Sequence, residues 1–336
     1  VPGGRVSTYL DSYHGRASQL GSTVVANCAS CHGVHNILPS SDPRSMVHKA
    51  NLARTCGQCH PGAGENFARV RVHAEVPVSE DLGSILKHWV RRIYLWLIAI
   101  TIGLMALHNG AIWRRKALAR RRTEERTILR LTPRQRWQHL LLLLSFFTLV
   151  LTGFALKYPD SWLAWLLGSS ESFRRIAHRV AGVVLLGIGA YHLVYITTTA
   201  EGRQVWRDMR PRRKDIADLI QNMRYYFGRS AHRPLFDRCS YIEKFEYWAL
   251  VWGTLIMGAT GLMVWFKAQT TRWLPGWAVD VALTIHFYEA VLATLAIFVW
   301  HFYHVIFDPD VYPMNWAWLD GRVSLRWYQH EHPLDY

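Results

Sequence analysis

Five stretches of this chain are long and apolar enough to cross a bilayer, which takes about 20 residues. They run about Trp89 to Trp113, Gln138 to Leu156, Ile176 to Ile196, Tyr247 to Phe266 and Val279 to Phe307. A single stretch of this kind reads equally well as a buried core helix. Five of them, each near or beyond 19 residues, predict an all-α membrane protein with five transmembrane helices. The first 85 or so residues are of another kind. They are rich in Gly, Pro, Ser, Asn and His and carry little helical periodicity, so a small, irregular domain is expected ahead of the first helix.

Charge gives the helices a direction. The connection Arg114 to Arg136 holds ten basic and two acidic residues, and Thr198 to Ile242 holds ten and five. The connections Lys157 to Ser172 and Lys267 to Trp277 are short and weakly charged. Lys and Arg collect in cytoplasmic loops. The alternation therefore puts the two basic loops and the C-terminus from Asp308 in the cytoplasm, and the N-terminal region outside. A multi-pass protein of the bacterial inner membrane is expected, with its N-terminus periplasmic. The predicted domains are a periplasmic segment 1–87, a first helix 88–113, a basic loop 114–137, a four-helix domain 138–307 carrying the loop 198–242, and a tail 308–336.

Composition then removes whole classes. The net charge of +15 on 336 residues suggests nucleic acid as a partner. The two basic loops supply +8 and +5 of that charge, no motif supports the suggestion, and no nucleic-acid partner is expected. A hydrophobic content of 50% with 16 Trp excludes intrinsic disorder, and 5 Cys are too few for a disulfide-stapled mini-protein. No phosphate-binding Gly loop, nucleophile elbow or nucleotide fingerprint is present, and no catalytic residue is assigned.

The N-terminal segment contains Cys28-Ala-Ser-Cys31-His32 and Cys56-Gly-Gln-Cys59-His60. Cys-x-x-Cys-His marks covalent c-type haem attachment. The two thiols become thioethers, and His32 or His60 becomes the proximal iron ligand. A zinc site would use the same four Cys, and disulfides would leave both trailing His unexplained. Two covalent haem c groups are therefore expected. Distal ligands are available in His14, His35, His48, His73 and His88. The runs Ser12-Tyr13-His14-Gly15 and Ala26 to His73 resemble multihaem c-type cytochromes. That resemblance implies that some of the extra His serve neighbouring haems in a partner or in a part of the chain before Val1. Val1 is not a Met and no signal peptide precedes it, so processing or truncation is expected.

Ionisable residues inside a span are costly and usually functional. The predicted helices hold His108, His139, His178, His192, His286, His301 and His304. His178 and His286 lie near the outer ends of helices three and five, and His139 and His301 near the inner ends of helices two and five. His286 and His301 are 15 residues apart, about 22 Å of helix rise, which suits two stacked b haems. His108 stands alone on helix one and reads as a packing residue.

These residues lie in runs that resemble a known family. Arg136-Trp137-Gln138-His139, Thr152-Gly153-Phe154, His178-Arg179-Val180-Ala181-Gly182, Tyr247-Trp248-Ala249-Leu250-Val251-Trp252-Gly253 and His301-Phe302-Tyr303 are similar to cytochrome b subunits of formate dehydrogenases and nickel-iron hydrogenases. The resemblance covers about residues 134–333. It implies a four-helix dihaem bundle with an outer haem b between His178 and His286, an inner haem b between His139 and His301, and a quinone site near the inner haem. The chain departs from that family in its extra first helix, its fused c-haem segment and a helix-five spacing one residue longer. A second pairing stays open. His178 and His192 are 14 residues apart, which resembles the cytochrome b of quinol-oxidising bc complexes and implies an inner haem between His192 and His301. If His139 is the ligand, His192 or His304 is a candidate for the quinone site.

The remaining features are local. Cys239 reads as an ordinary reduced thiol, and Arg210 to Lys214 as a contact with anionic headgroups. Asp215 to Tyr226 reads as an amphipathic helix along the inner surface. Trp162, Trp165, Trp273 and Trp277 read as interfacial anchors. The expectation is a membrane-bound subunit moving electrons between quinol and an outer partner through b and c haems. Its partners would be other subunits of a respiratory complex, such as a periplasmic c-type cytochrome or an iron–sulfur or metalloenzyme subunit, besides lipid and quinone. Delivery of electrons into quinone from a periplasmic dehydrogenase or hydrogenase, or a conduit with no quinone site of its own, are the alternatives.

Overall fold

A computed structural model describes residues 5–10, 12–19, 25–68, 72–73, 82–119, 127–168 and 170–335. Val1 and the charged stretch 120–126 of the first basic connection lie outside these. The five long helices are Leu82–Ala119, Pro133–Lys157, Glu171–Thr198, Tyr241–Trp265 and Gly276–Ala296. They are termed spans one to five. The last continues through π-helical turns at Ile297–His301 and Tyr303–Phe307. All five are long and apolar enough to cross a membrane. Their flanks expose large side chains such as Leu104, Leu144, Leu193 and Leu255, a surface suited to lipid rather than water.

Each span starts three to seven residues before its apolar stretch, and at spans two, three and four side-chain caps fix the start. At span two, Gln135 Oε1 accepts from the Thr132 backbone N–H at 3.0 Å, and Thr132 Oγ1 accepts from the Gln135 N–H at 3.4 Å. Pro133 fills the first helical position, where no N–H is needed. At span four the Glu243 carboxylate accepts from the Ser240 backbone N–H at 2.8 Å. At span three, Ser170 Oγ accepts from the Phe173 N–H at 3.2 Å.

The chain divides into two compact units. One comprises Val1–Tyr94, Leu151–Ala177 and Met257–Tyr288, and the other Leu95–Val150, His178–Ile256 and Glu289–Tyr336. The first unit thus groups the N-terminal segment with both short connections. The second groups the basic connections with the tail.

In the first unit the N-terminal segment is a set of short helices, Arg5–Leu10, Tyr13–Gln19, Cys28–His32, Leu52–Gly57 and Glu65–Ala68. It is fastened at two places. Tyr13 donates to Glu171 Oε1 at 3.1 Å and accepts from Arg175 at 2.5 Å. The helix Glu65–Ala68 packs on the helix Lys267–Trp273. Beside that contact Gly62 has φ +84°, and a Cβ there would stand 2.6 Å from Arg272 Nη2, so only glycine suits the position.

In the second unit, strand β1 (Thr127–Leu129) pairs antiparallel with β2 (Arg322–Ser324), and Ile128 faces Val323. Ala317, Val323 and Tyr328 form a small core, with Ile128, Leu131 and Trp327 packed on it. The helix Arg213–Tyr226 turns Asp218 and Asn222 inward and leaves Ile216 and Ile220 exposed. Lys116, at the end of span one, meets Asp308 at 2.8 Å, Asp310 at 2.7 Å and Glu331 at 3.4 Å. Arg233 pairs with Glu331 at 2.5 Å.

Burial alone would raise the Glu331 carboxyl. Lys116 above all, with His330 and Arg233, instead holds it well below the usual carboxylate range. A depressed carboxylate contributes stability that is present above its unfolded value of about 4.3 and is lost as pH falls through the folded value. Glu331→Gln should therefore destabilise the protein by about 3 kcal/mol at pH 7. It should also flatten the loss of thermal stability below pH 4. Melting curves in detergent between pH 7 and pH 3 measure both effects, and an unchanged acid limb would contradict this account.

Candidate functional site

The first Cys-x-x-Cys-His run forms its own helix, Cys28–His32, closed by a capping box between Asn27 and Ser30. The second begins at the end of the helix Leu52–Gly57, and the His60 N–H bonds the Cys56 carbonyl at 2.9 Å. All four Cys are free thiols. Each motif His has a second imidazole facing it. His32 and His73 have ring centres 6.3 Å apart, and His14 and His60 6.1 Å apart. Two metal–nitrogen bonds of about 2 Å each, plus the half-widths of two rings, make roughly 6 Å between ring centres. One iron atom therefore fits between the members of each pair. Burial lowers the pKa of His14, His32 and His60, which keeps the imidazoles neutral, the form that bonds a metal. His73 Nδ1 lies 3.2 Å from Thr8 Oγ1, which orients its ring. His35 is exposed, and His48 Nδ1 accepts from the Ala50 N–H at 3.3 Å. His88 meets Trp89 edge to face.

In the second unit the same spacing recurs between spans. His139 of span two and His301 of span five have ring centres 6.3 Å apart. His139 Nδ1 is buried with no hydrogen-bond partner. His301 Nδ1 donates to Glu246 Oε2 at 3.1 Å, leaving Nε2 for another bond. A carboxylate behind an imidazole fixes its tautomer and raises its basicity as a ligand. An orphan imidazole in lipid costs several kcal/mol unless something fills it. The pair fits a haem b iron.

His192 differs. Its Nδ1 donates to Gln138 Oε1 at 2.8 Å and its Nε2 accepts from the Tyr247 hydroxyl at 3.1 Å. Both nitrogens are engaged, and the Nε2 lone pair is taken up by the Tyr247 hydroxyl. His304 Nδ1 donates to the Trp300 carbonyl at 2.9 Å, while its Nε2 is buried without a partner. His108 is buried and bonded through both nitrogens, to Asn109 Oδ1 at 3.0 Å and Tyr241 Oη at 2.7 Å, with Trp300 against its ring.

His178 is hydrogen-bonded to the backbone of Leu149. In the first unit, His286 Nδ1 lies 3.0 Å from Thr260 Oγ1 of span four. Gly261 stands beside that ring, and a Cβ there would come within 3.2 Å of His286 Cε1. Gly261→Ala should be tolerated with a small spectral shift. Gly261→Leu should displace the ring and reduce haem b retention severalfold, read by pyridine haemochrome. Full haem content in the Leu variant would show that His286 is not held against this glycine.

The π-helical turns bear on the spacing of span five. A π turn accommodates one more residue than an α turn. The turn Ile297–His301 therefore holds one residue more than an α turn would just before the His301 ring. Reading the sequence for His alone missed Glu246 and Thr260, which orient His301 and His286. Glu246 stands one position before the apolar stretch that opens at Tyr247, so the sequence alone marked it as a flanking charge. Cys239 is buried, and burial pushes its thiol up to about 12, so it is protonated at neutral pH.

A protein-family model described as prokaryotic cytochrome b561 matches residues 130–313, which include spans two to five. No curated protein matches the chain. The matched stretch is more than half of the sequence and contains His139, His178, His192, His286 and His301. The chain belongs to the prokaryotic cytochrome b561 family and is a multi-pass membrane b-type cytochrome that works in electron transfer.

Proposed function

We propose that the chain is the quinol-linked cytochrome subunit of a respiratory complex in a bacterial cytoplasmic membrane. It carries two b haems and two covalent c haems. The inner haem b is held by His139 and His301, and the outer by His178 and His286. One haem c is attached at Cys28 and Cys31 with His32 and His73 on its iron. The other is attached at Cys56 and Cys59 with His60 and His14. The carrying observation is the repeated imidazole separation, 6.1 to 6.3 Å in three independent pairs. His108 and His304 also stand 6.1 Å apart, with both nitrogens of His108 hydrogen-bonded, so the spacing carries the reading where it coincides with a Cys-x-x-Cys-His motif or with a ring nitrogen that has no partner.

Bound between such pairs, haem supplies reversible one-electron transfer. The residues of the chain hold the groups, orient the imidazoles through Glu246 and Thr260, and exclude water from the spans. The N-terminal segment of about 87 residues lies on the periplasmic side, and the basic connections and tail on the cytoplasmic side. The charge alternation supports this orientation, and so does the grouping of the N-terminal segment with both short connections. The quinone site lies beside His304, whose Nε2 is unpartnered whereas both nitrogens of His192 are engaged. The outer partner is a c-type cytochrome or a metalloenzyme subunit.

The test uses the purified full chain. Pyridine haemochrome should give equal amounts of haem b and haem c, and a naphthoquinol should reduce both in an inhibitor-sensitive reaction. Absence of haem c would overturn the periplasmic assignment. Failure of quinol to reduce haem b would overturn the quinone assignment.

A further inference from the structure

Arg174 is 1% exposed, one of the most deeply buried large side chains in the protein. A buried guanidinium needs an anion, because neutral acceptors leave its charge uncompensated. Among the described residues no carboxylate forms an ion pair with it. Its Nη1 donates to the carbonyls of Ala164, at 3.3 Å, and Gly168. These lie at and just beyond the end of the helix Trp162–Leu166. Its Nε is buried with no acceptor at all. The nearest acid in sequence, Glu171, is committed to Tyr13 and Arg175. Two carbonyls at a helix end supply partial negative charge only.

The position of Arg174 on span three indicates what the missing anion is. It stands four residues before His178, one turn away on the same helix face. The next residue, Arg175, bonds Tyr13, which adjoins His14. Arg174 thus shares a helix face with one proposed haem ligand and a helical turn with the arginine that holds the segment carrying another, and every haem carries propionate carboxylates. A planar guanidinium matches a carboxylate with two parallel hydrogen bonds.

We propose that Arg174 is the counter-ion of a haem propionate at the start of span three. This rests on the haem assignment made above. The propionate belongs either to the outer haem b or to the haem c at Cys56 and Cys59, and the two sources absorb at different wavelengths. The cation sets the potential of that haem. Reduction adds a negative charge, which a nearby guanidinium stabilises, so its removal disfavours the ferrous form. Arg174 is a positioning and tuning residue in this account and touches no iron ligand.

The experiment is a redox titration of the intact protein and of Arg174→Gln and Arg174→Lys, followed separately at the b and c absorption bands. Arg174→Gln should shift the redox equilibrium of one haem tenfold toward the oxidised form, which is 59 mV for one electron, and leave the others in place. Arg174→Lys keeps the charge and should shift the same haem by less. A shift in the b bands assigns the outer haem b, and one in the c bands the haem c. If Arg174→Gln holds its full haem complement with every midpoint unchanged, the proposal is overturned. If Arg174→Gln does not hold haem, Arg174→Lys decides. A shift confined to one haem supports the proposal, and unchanged midpoints sink it. A wild-type protein lacking haem b or haem c would instead count against the proposed function.

Discussion

Replacing His301 with alanine should halve the haem b content and leave haem c untouched. His301 is held from behind by Glu246 and faces His139 across a gap of one iron atom. Removing it takes away one of the two proposed axial ligands and leaves the buried Glu246 carboxylate without its hydrogen-bond partner. His139→Ala should have the same effect, because a single imidazole in a lipid-facing helix does not retain a non-covalent haem. His192→Ala should keep both b haems, since its nitrogens are already used by Gln138 and Tyr247. Glu246→Gln should act more gently, weakening haem retention about 10- to 100-fold as the loss of an outer-sphere partner does. Pyridine haemochrome on purified variants measures all four. Loss of haem in His192→Ala with retention in His139→Ala would move the inner haem to the pairing of the bc complexes.

His73→Ala and His14→Ala should each convert one of the two proposed c haems from low spin to high spin. Attachment should survive, because the proposed thioether bonds and the proximal His are left in place, so haem c content should stay full while half of the low-spin signal disappears. The double variant should lose all of it. His35→Ala and His48→Ala should leave the spectrum unchanged. His35 points to solvent, and neither ring stands opposite His32 or His60 among the described residues. Electron paramagnetic resonance and the Soret band report the spin state directly. A spectral change in His35→Ala would show that the distal ligand of one haem comes from another part of the segment.

Much of this molecule could be read from its sequence, for identifiable reasons. Hydrophobicity over about 20 residues is a sum over many side chains, so five spans stood out despite local exceptions. The apolar stretches begin up to seven residues after the helices do, because helix starts depend on local details such as the pairs Thr132 with Gln135 and Ser240 with Glu243. The Cys-x-x-Cys-His runs are local and therefore legible. Their facing imidazoles are not, since His14 and His60 are 46 residues apart and only the fold brings them together. The choice between His139 and His192 depends on whether a ring nitrogen is already engaged, which no spacing rule encodes. The strand pairing of Thr127–Leu129 with Arg322–Ser324 was equally out of reach, being three residues long and separated by almost the whole membrane domain.

The cluster around Lys116 has a consequence for how the chain is made. Its ammonium group closes the first membrane helix, while its acidic partners Asp308, Asp310 and Glu331 are translated about 190 to 215 residues later. Until the ribosome has produced those last residues, the first helix ends in an unmatched cation. An unmatched cation resists being drawn into lipid, which holds that helix end at a membrane surface. The helix is therefore inserted early but locked late. A nascent chain stopped before Asp308 would carry all five spans with the clasp still open, and the finished protein closes only when its tail folds back onto its first helix.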